Sequence, residues 1–172
     1  GGFGAPGHII INFTTGAYGM KTLEVTALEN GTVMDHIQAG CALDVLNLAL
    51  SQLKQSAITV GMYLPSARHE KKDIIKMHAY HPSDAELELM GVLAPGATVN
   101  FIENFKVVKK VQLALPQEVK GLFQCQNSQC ISIDEAIEPH FHIHTDGEDI
   151  ILKCHYCEHE FKREQVSLRA RA

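Results

Sequence analysis

A chain of 172 residues and 19.0 kDa, 45% hydrophobic, 20% charged and with a formal net charge of −5, suffices for one ordinary domain or two small ones. Glycine and proline follow no repeat, which excludes collagen-like, mucin-like and wholly disordered chains, and no run of roughly 18 apolar residues is present to form a spanning helix. The acidic balance argues against general nucleic-acid binding, which needs a basic surface, but leaves room for a local basic site.

The first 20 residues differ from the rest. Residues 1–19 hold six glycines (Gly1, Gly2, Gly4, Gly7, Gly16, Gly19) and no charged side chain. Met20 reads as the natural start, with 1–20 as an extension. His8-Ile9-Ile10-Ile11 is too short and lacks the basic flank of a signal peptide, so cytoplasm is the expected compartment. Residues 9–13 have the composition of a strand that needs cover.

From Lys21 the pattern becomes regular. Leu23, Val25 and Ala27 alternate with Thr22, Glu24 and Thr26, the period of a strand with one buried face. Asn30-Gly31 marks a tight turn before Thr32-Val33-Met34. Residues 41–54 change period: Leu43, Leu46, Leu50 and Leu53, flanked by Val45 and Ala49, predict the apolar stripe of a helix. Ile58, Val60 and Met62 predict a strand broken by Pro65, and residues 72–77 another. Ser83-x-x-Glu86 is a capping box opening a helix whose buried side is Leu87, Met90 and Leu93, with Glu86 and Glu88 in water. Ala94-Pro95-Gly96 stops it, and strands follow at 98–102 and 105–108. This order predicts an α+β fold: a ferredoxin-like β-α-β-β-α-β domain, an antiparallel sheet with two helices on one face, plus an extra strand.

The third part of the chain is organised by cysteines. Cys41 stands alone, whereas Cys125, Cys130, Cys154 and Cys157 form two close pairs separated by 23 residues. Gly121 to Leu168 is only 48 residues, and below about 50 residues an apolar core seldom offsets the entropy of ordering the chain. Two thiolate pairs on short reversals satisfy that need by converging tetrahedrally on one structural ion. Zinc is the first choice; iron, disulfides and free thiols are the alternatives. A small all-β, zinc-ribbon-like unit is therefore expected. Between the pairs, His140, His142 and His144 share one face of a strand whose other face is Phe141 and Ile143, and Asp146-Gly147 turns it into a hairpin. Such a row seldom closes around one ion and reads as a wet face. His155 and His159 flank Cys157 but are not needed as ligands.

No nucleophile elbow, zincin, Walker or dinucleotide glycine motif is present. Cys41, at a helix start, reads as a small buried hydrophobe. Asp35 and His36, as neighbours on an extended strand, are expected to point apart. Lys72 and Lys76 share a strand face, and with His36 and Lys109-Lys110 they make a loose basic set that could hold phosphates as point charges, although on these residues alone solubilising lysines at strand ends are the stronger reading.

Taken together, the residues carry a family resemblance. Leu23-Glu24-Val25-x-Ala27-Leu28, Gly31 through Ile37, Ile58 through Gly61, Lys72 through Lys76, Ala94-Pro95-x-Ala97-Thr98-Val99-Asn100-x-Ile102, Phe105-x-Val107-Val108 and the four cysteines with Tyr156 and Glu158 resemble the regulatory chain of aspartate carbamoyltransferase over residues 21 to about 168. The resemblance implies a non-catalytic subunit of pyrimidine biosynthesis. Residues 21–115 would form a nucleotide-binding allosteric domain taking CTP, UTP and ATP and pairing into a homodimer. Residues 116–168 would hold one structural Zn2+ through Cys125, Cys130, Cys154 and Cys157 and contact the catalytic chain, so that regulatory dimers bridge catalytic trimers, with no nucleic acid or membrane partner. It further implies that Asp35 binds ribose hydroxyls, Lys76 the ribose and base edge, and His36 and Lys110 the phosphates. Lys72 would hold phosphate of the same or a second nucleotide. Ala27, Leu28, Phe105 and Val107 would line the base site, with Asn100 and Ile102 as its wall.

Thr26 stands where the family often has glutamate, Phe105 where tyrosine is frequent, and 1–19 has no counterpart. The rival is a ligand-sensing, zinc-containing adaptor without this catalytic partner. A zinc-ribbon nucleic-acid factor is disfavoured by 6 Lys+Arg against 10 Asp+Glu in residues 116–172.

Overall fold

The computed structural model describes residues 8–12, 22–49, 56–67, 70–134 and 136–169. Met20, the remainder of the leading segment, and Leu50 and Leu53 of the expected helical stripe lie outside these residues, as does the Thr26 side chain.

Strands β1 (His8–Asn12) and β2 (Thr22–Thr26) form an antiparallel pair of their own. The alternating segment at 22–26 is thus a strand, but it does not join the main sheet. That sheet has five antiparallel strands in the order β4-β5-β3-β6-β7. They are β3 (Gly31–Gln38), β4 (Ile58–Pro65), β5 (Lys71–His78), β6 (Thr98–Glu103) and β7 (Lys106–Gln112). Helix α1 (Ala42–Ala49) links β3 to β4, and α2 (Asp84–Leu93) links β5 to β6. With β3 and β5 adjacent at the centre, this is the expected ferredoxin-like arrangement, β7 being the extra strand. Pro65 ends β4 at the sheet edge, where its missing N–H costs no ladder bond.

The core lies between sheet and helices: Met34, Ile75, Met77 and Val99 meet Val45 and Met90, all fully buried. Helix α2 behaves as its sequence predicts. The Glu86 amide donates to Ser83 Oγ at 3.3 Å and the Ser83 amide to Glu86 Oε2 at 2.9 Å, while Leu87, Met90 and Leu93 are buried. Glu86 is only half in water, because its other oxygen accepts the Tyr80 hydroxyl at 2.7 Å. Burial and that carboxylate together push the Tyr80 phenol well above the ordinary tyrosine range.

Helix α1 keeps part of the expected stripe. Val45 and Ala49 are buried together with Ala42 and Leu48, and Leu46 is partly buried against the same core, whereas Leu43 is 54% exposed. The approach of α2 and β5 sets the buried face one position away from Leu43. The N-terminus of α1 is held by a residue distant in sequence. Asp73, fully buried on β5, accepts N–H bonds from Gly40 (2.8 Å), Ala42 (3.2 Å) and Tyr63 (2.8 Å), which ties the β3–α1 turn to β4.

The C-terminal unit is all-β: β8 (Glu118–Lys120), β9 (His140–Asp146), β10 (Asp149–Cys154) and β11 (Glu160–Lys162), in the order β11-β10-β9-β8. Phe123, Phe141 and Leu152 are its innermost residues. The passage into it lies close to α2. A Cβ on Gly91 would stand 2.2 Å from the Ala114 carbonyl oxygen, and Leu113 exchanges backbone bonds with Gly96 and Ala97. Across the two units, Arg163 reaches Asp44 of α1 at 3.1 Å while its guanidinium covers the Phe123 ring at 5.1 Å.

Candidate functional site

The helix-free face of the main sheet carries a polar row set by register. Val33 of β3 pairs with Lys76 on one side and Asn100 on the other, and Asn100 pairs with Lys110. Directly paired residues point to the same face, so Lys76, Asn100 and Lys110 line up across four strands counting Val33. Ile102 and Val107 form the next pair along, and Asp35 is two residues beyond Val33. Asp35 Oδ1 holds Lys72 Nζ at 2.7 Å. Lys72 and Lys76 therefore do share a face, as their spacing predicts, with Asp73, Ile75 and Met77 turned to the core.

Lys76 is 7% exposed, an unusual burial for an ammonium, and that burial lowers its pKa from the ordinary lysine value. Lys110 and Val107 are exposed. Asn104 and Phe105 form the β6–β7 turn with φ of +49° and +62°, the left-handed region that ordinary side chains avoid. The turn is braced by the 27–30 segment: the Phe105 amide donates to Glu29 O at 3.0 Å and the Asn104 amide to Asn30 Oδ1 at 3.1 Å. Leu28 is buried in that segment, Ala27 half-buried, and the Phe105 ring is 53% exposed.

Asp35 and His36 do not point apart. A bulge between Met34 and Ile37, with His36 at φ +59°, breaks the alternation. The His36 amide donates to Asp35 Oδ1 at 2.7 Å, and its Nδ1 lies 3.5 Å from Asp35 Oδ2. His36 also lines an open cleft with Gln38, Tyr63, Glu70, Lys71 and Pro95, none of them a residue the sequence singles out for the site. The sheet thus gathers Asp35, His36 and Lys72 at one end of the face, and Lys76, Asn100 and Lys110 in a row beside it.

Cys41 is half-buried beside α1, and burial raises its thiol pKa, opposed chiefly by the nearby Arg163. A thiol so placed is not an activated nucleophile.

The four clustered cysteines converge. Their sulfurs all lie within 4.8 Å of one another, with Cys125–Cys157 and Cys130–Cys154 each at 3.7 Å, and none is disulfide-bonded. Bonds of about 2.3 Å to one tetrahedral ion put sulfurs roughly 3.8 Å apart, so the tetrad fits such an ion and the disulfide alternative falls away. Two backbone reversals aim the thiols. The Cys130 amide donates to Asn127 O at 2.9 Å, and the Glu158 amide to Cys154 O at 2.9 Å. Burial pushes the Cys125 and Cys154 thiols up. Cys157, despite its own burial, is brought down to about 6 by the His159 amide, the Asn127 side chain and neighbouring thiols. The closed set of four leaves no coordination position for substrate.

The histidine row closes differently from its sequence pattern. His144 stands apart, and His155, from the turn after β10, joins His140 and His142; one nitrogen from each lies within 4.8 Å of the others.

Family comparison divides the chain at the same passage. Residues 23–114 match the model of the aspartate carbamoyltransferase regulatory chain, allosteric domain, and residues 117–167 that of its metal binding domain. Aspartate carbamoyltransferase regulatory chains of Tolumonas auensis and Vibrio parahaemolyticus are 44% and 42% identical, each over 86% of this chain and 96% of the relative. That of Aliivibrio fischeri is 42% identical over 84% of this chain and 94% of its own.

Proposed function

Because the chain belongs to the family of aspartate carbamoyltransferase regulatory chains, which are non-catalytic subunits, we propose that it senses CTP, UTP and ATP and transmits their binding to a catalytic chain. The observation that carries this reading is the row Lys76–Asn100–Lys110 on the helix-free sheet face, flanked by the Asp35–Lys72 pair. Residues 21–115 are the sensing domain. Lys110 and His36 take the phosphates, and Asp35 accepts the ribose hydroxyls. Lys72 holds phosphate of that nucleotide or of a second one, and at 2.7 Å from Asp35 it prevents the carboxylate from repelling a polyphosphate. Lys76 turns its desolvated ammonium to ribose and base edge, with Asn100 and Ile102 as wall. Ala27, Leu28, Phe105 and Val107 receive the base, the braced and strained β6–β7 turn fixing Phe105.

Residues 116–168 are the holding domain. One Zn2+ bound by Cys125, Cys130, Cys154 and Cys157 would crosslink the two reversals and supply folding free energy that so small a core lacks. This unit clasps the catalytic chain, and two regulatory chains pair through their first domains, so that dimers bridge catalytic trimers. Regulation requires that a nucleotide bind one quaternary state more tightly than the other; occupancy alone shifts nothing. Coupling then runs through residues 109–121, where the passage packs on Gly91 of α2.

The test is a titration with CTP and ATP of the full chain mixed with purified catalytic trimer, reading sedimentation and carbamoyl transfer together. The expected outcome is a larger complex whose activity responds to nucleotide. Nucleotide binding without any complex would instead establish the adaptor reading.

A further inference from the structure

We propose that His140, His142 and His155 form a second metal site, beside Glu118 on the outer face of the C-terminal sheet, for a divalent cation of borderline character such as Zn2+, Ni2+ or Co2+. It uses none of the four cysteines and does not depend on the regulatory reading.

The donors come from separate pieces of chain. Glu118 on β8 pairs with His142 on β9, Lys120 pairs with His140, and His155 follows Cys154 in the turn beyond β10. The His155 amide donates to His140 O at 2.9 Å, which docks that turn onto the strand. The three rings face each other closely, with centroids 4.7 Å (His140–His155), 4.8 Å (His140–His142) and 5.4 Å (His142–His155) apart. His142 Nε2 is 3.1 Å from His155 Nδ1, near the roughly 3.4 Å separation of two nitrogens bound at about 2.1 Å to one tetrahedral ion. Glu118 Oε2 lies 2.8 Å from His140 Nε2, orienting that ring and placing a negative charge at the edge of the cluster. Imidazole donors suit zinc, nickel, copper and cobalt rather than calcium or magnesium.

Two features bear on occupancy. His142 and His155 are exposed, so an ion has a path in, and the backbone around them is preformed, so little ordering is needed. Lys153, paired with His142, and Lys120 place positive charge on the same rows and hold the affinity below that of the sulfur centre.

The test uses the full-length, tag-free chain carrying one Zn2+ in its cysteine centre, titrated with Ni2+ by calorimetry with metal analysis alongside. One further equivalent of Ni2+ is expected to bind with the zinc retained. His142→Ala and His155→Ala should each weaken that binding at least tenfold. His144→Ala, on the same strand face but outside the cluster, should stay within twofold. Absence of a further equivalent would overturn the site, as would equal losses in His142→Ala and His144→Ala. Should His155→Ala shed its zinc, His142→Ala and Glu118→Gln decide the matter, since neither adjoins a cysteine.

Discussion

Lys109 and Lys110 are consecutive lysines with different surroundings. Lys109 pairs with Phe101 and lies over its ring at 5.2 Å on the helix side of the sheet, whereas Lys110 pairs with Asn100 on the opposite, helix-free face. If phosphate binds there, Lys110→Ala removes one charge-assisted contact and should raise the dissociation constant for CTP about tenfold, with Lys109→Ala within about twofold. Equilibrium dialysis checks both, and equal effects would remove Lys110 from the site. At this scale the sequence was a good guide wherever strict alternation held, as at Lys72 and Lys76. It failed at Asp35 and His36, because one residue at φ +59° turns neighbours that should diverge into a 3.5 Å pair. Nothing in Met34-Asp35-His36-Ile37 announces a bulge.

Among the elements, α2 and α1 contrast in how they begin. The α2 start is local, a capping box written into Ser83 and Glu86. The α1 start depends on Asp73, 31 residues from the Ala42 amide it accepts, so no window of sequence around α1 contains its anchor. Asp73→Ala would leave the buried Ala42 amide, and those of Gly40 and Tyr63, without that acceptor and should cost about 3 kcal/mol, read from urea unfolding of the full chain. Asp73→Asn keeps one carbonyl oxygen and should lose less. The exposure of Leu43 has a related cause. Leu43 is as apolar as the residues that are buried, and only the packing of β5 and α2 leaves it outside while Val45, Leu46 and Ala49 face the core.

For the whole molecule, two units share one continuous apolar cluster, running from Val45 and Met90 through Leu113 and Val119 to Phe123 and Phe141. Arg163 closes the junction by pairing with Asp44 while covering Phe123. On the proposed function the C-terminal unit nevertheless depends on an ion held by its four sulfurs, since zinc bound to such a set would contribute on the order of 10 kcal/mol of folding free energy. Cys154→Ser should therefore bring metal content from one ion per chain to none and abolish binding to the catalytic trimer. Nucleotide binding by the same full-length variant should persist. Metal analysis and sedimentation test this, and normal assembly of the variant would sink the structural role of the centre.

Element order, the capping box, the turn glycines and the four-cysteine spacing were determined by the sequence alone, because each rests on local geometry or on ligand chemistry that spacing exposes directly. The family followed from those same residues. Tertiary structure decided the rest: which strand lies at the centre of the sheet, how Lys76, Asn100 and Lys110 come into register, that Asp73 anchors α1, and that His155 rather than His144 completes the histidine cluster. Each of these joins residues from separate elements, and only the packed chain defines that proximity.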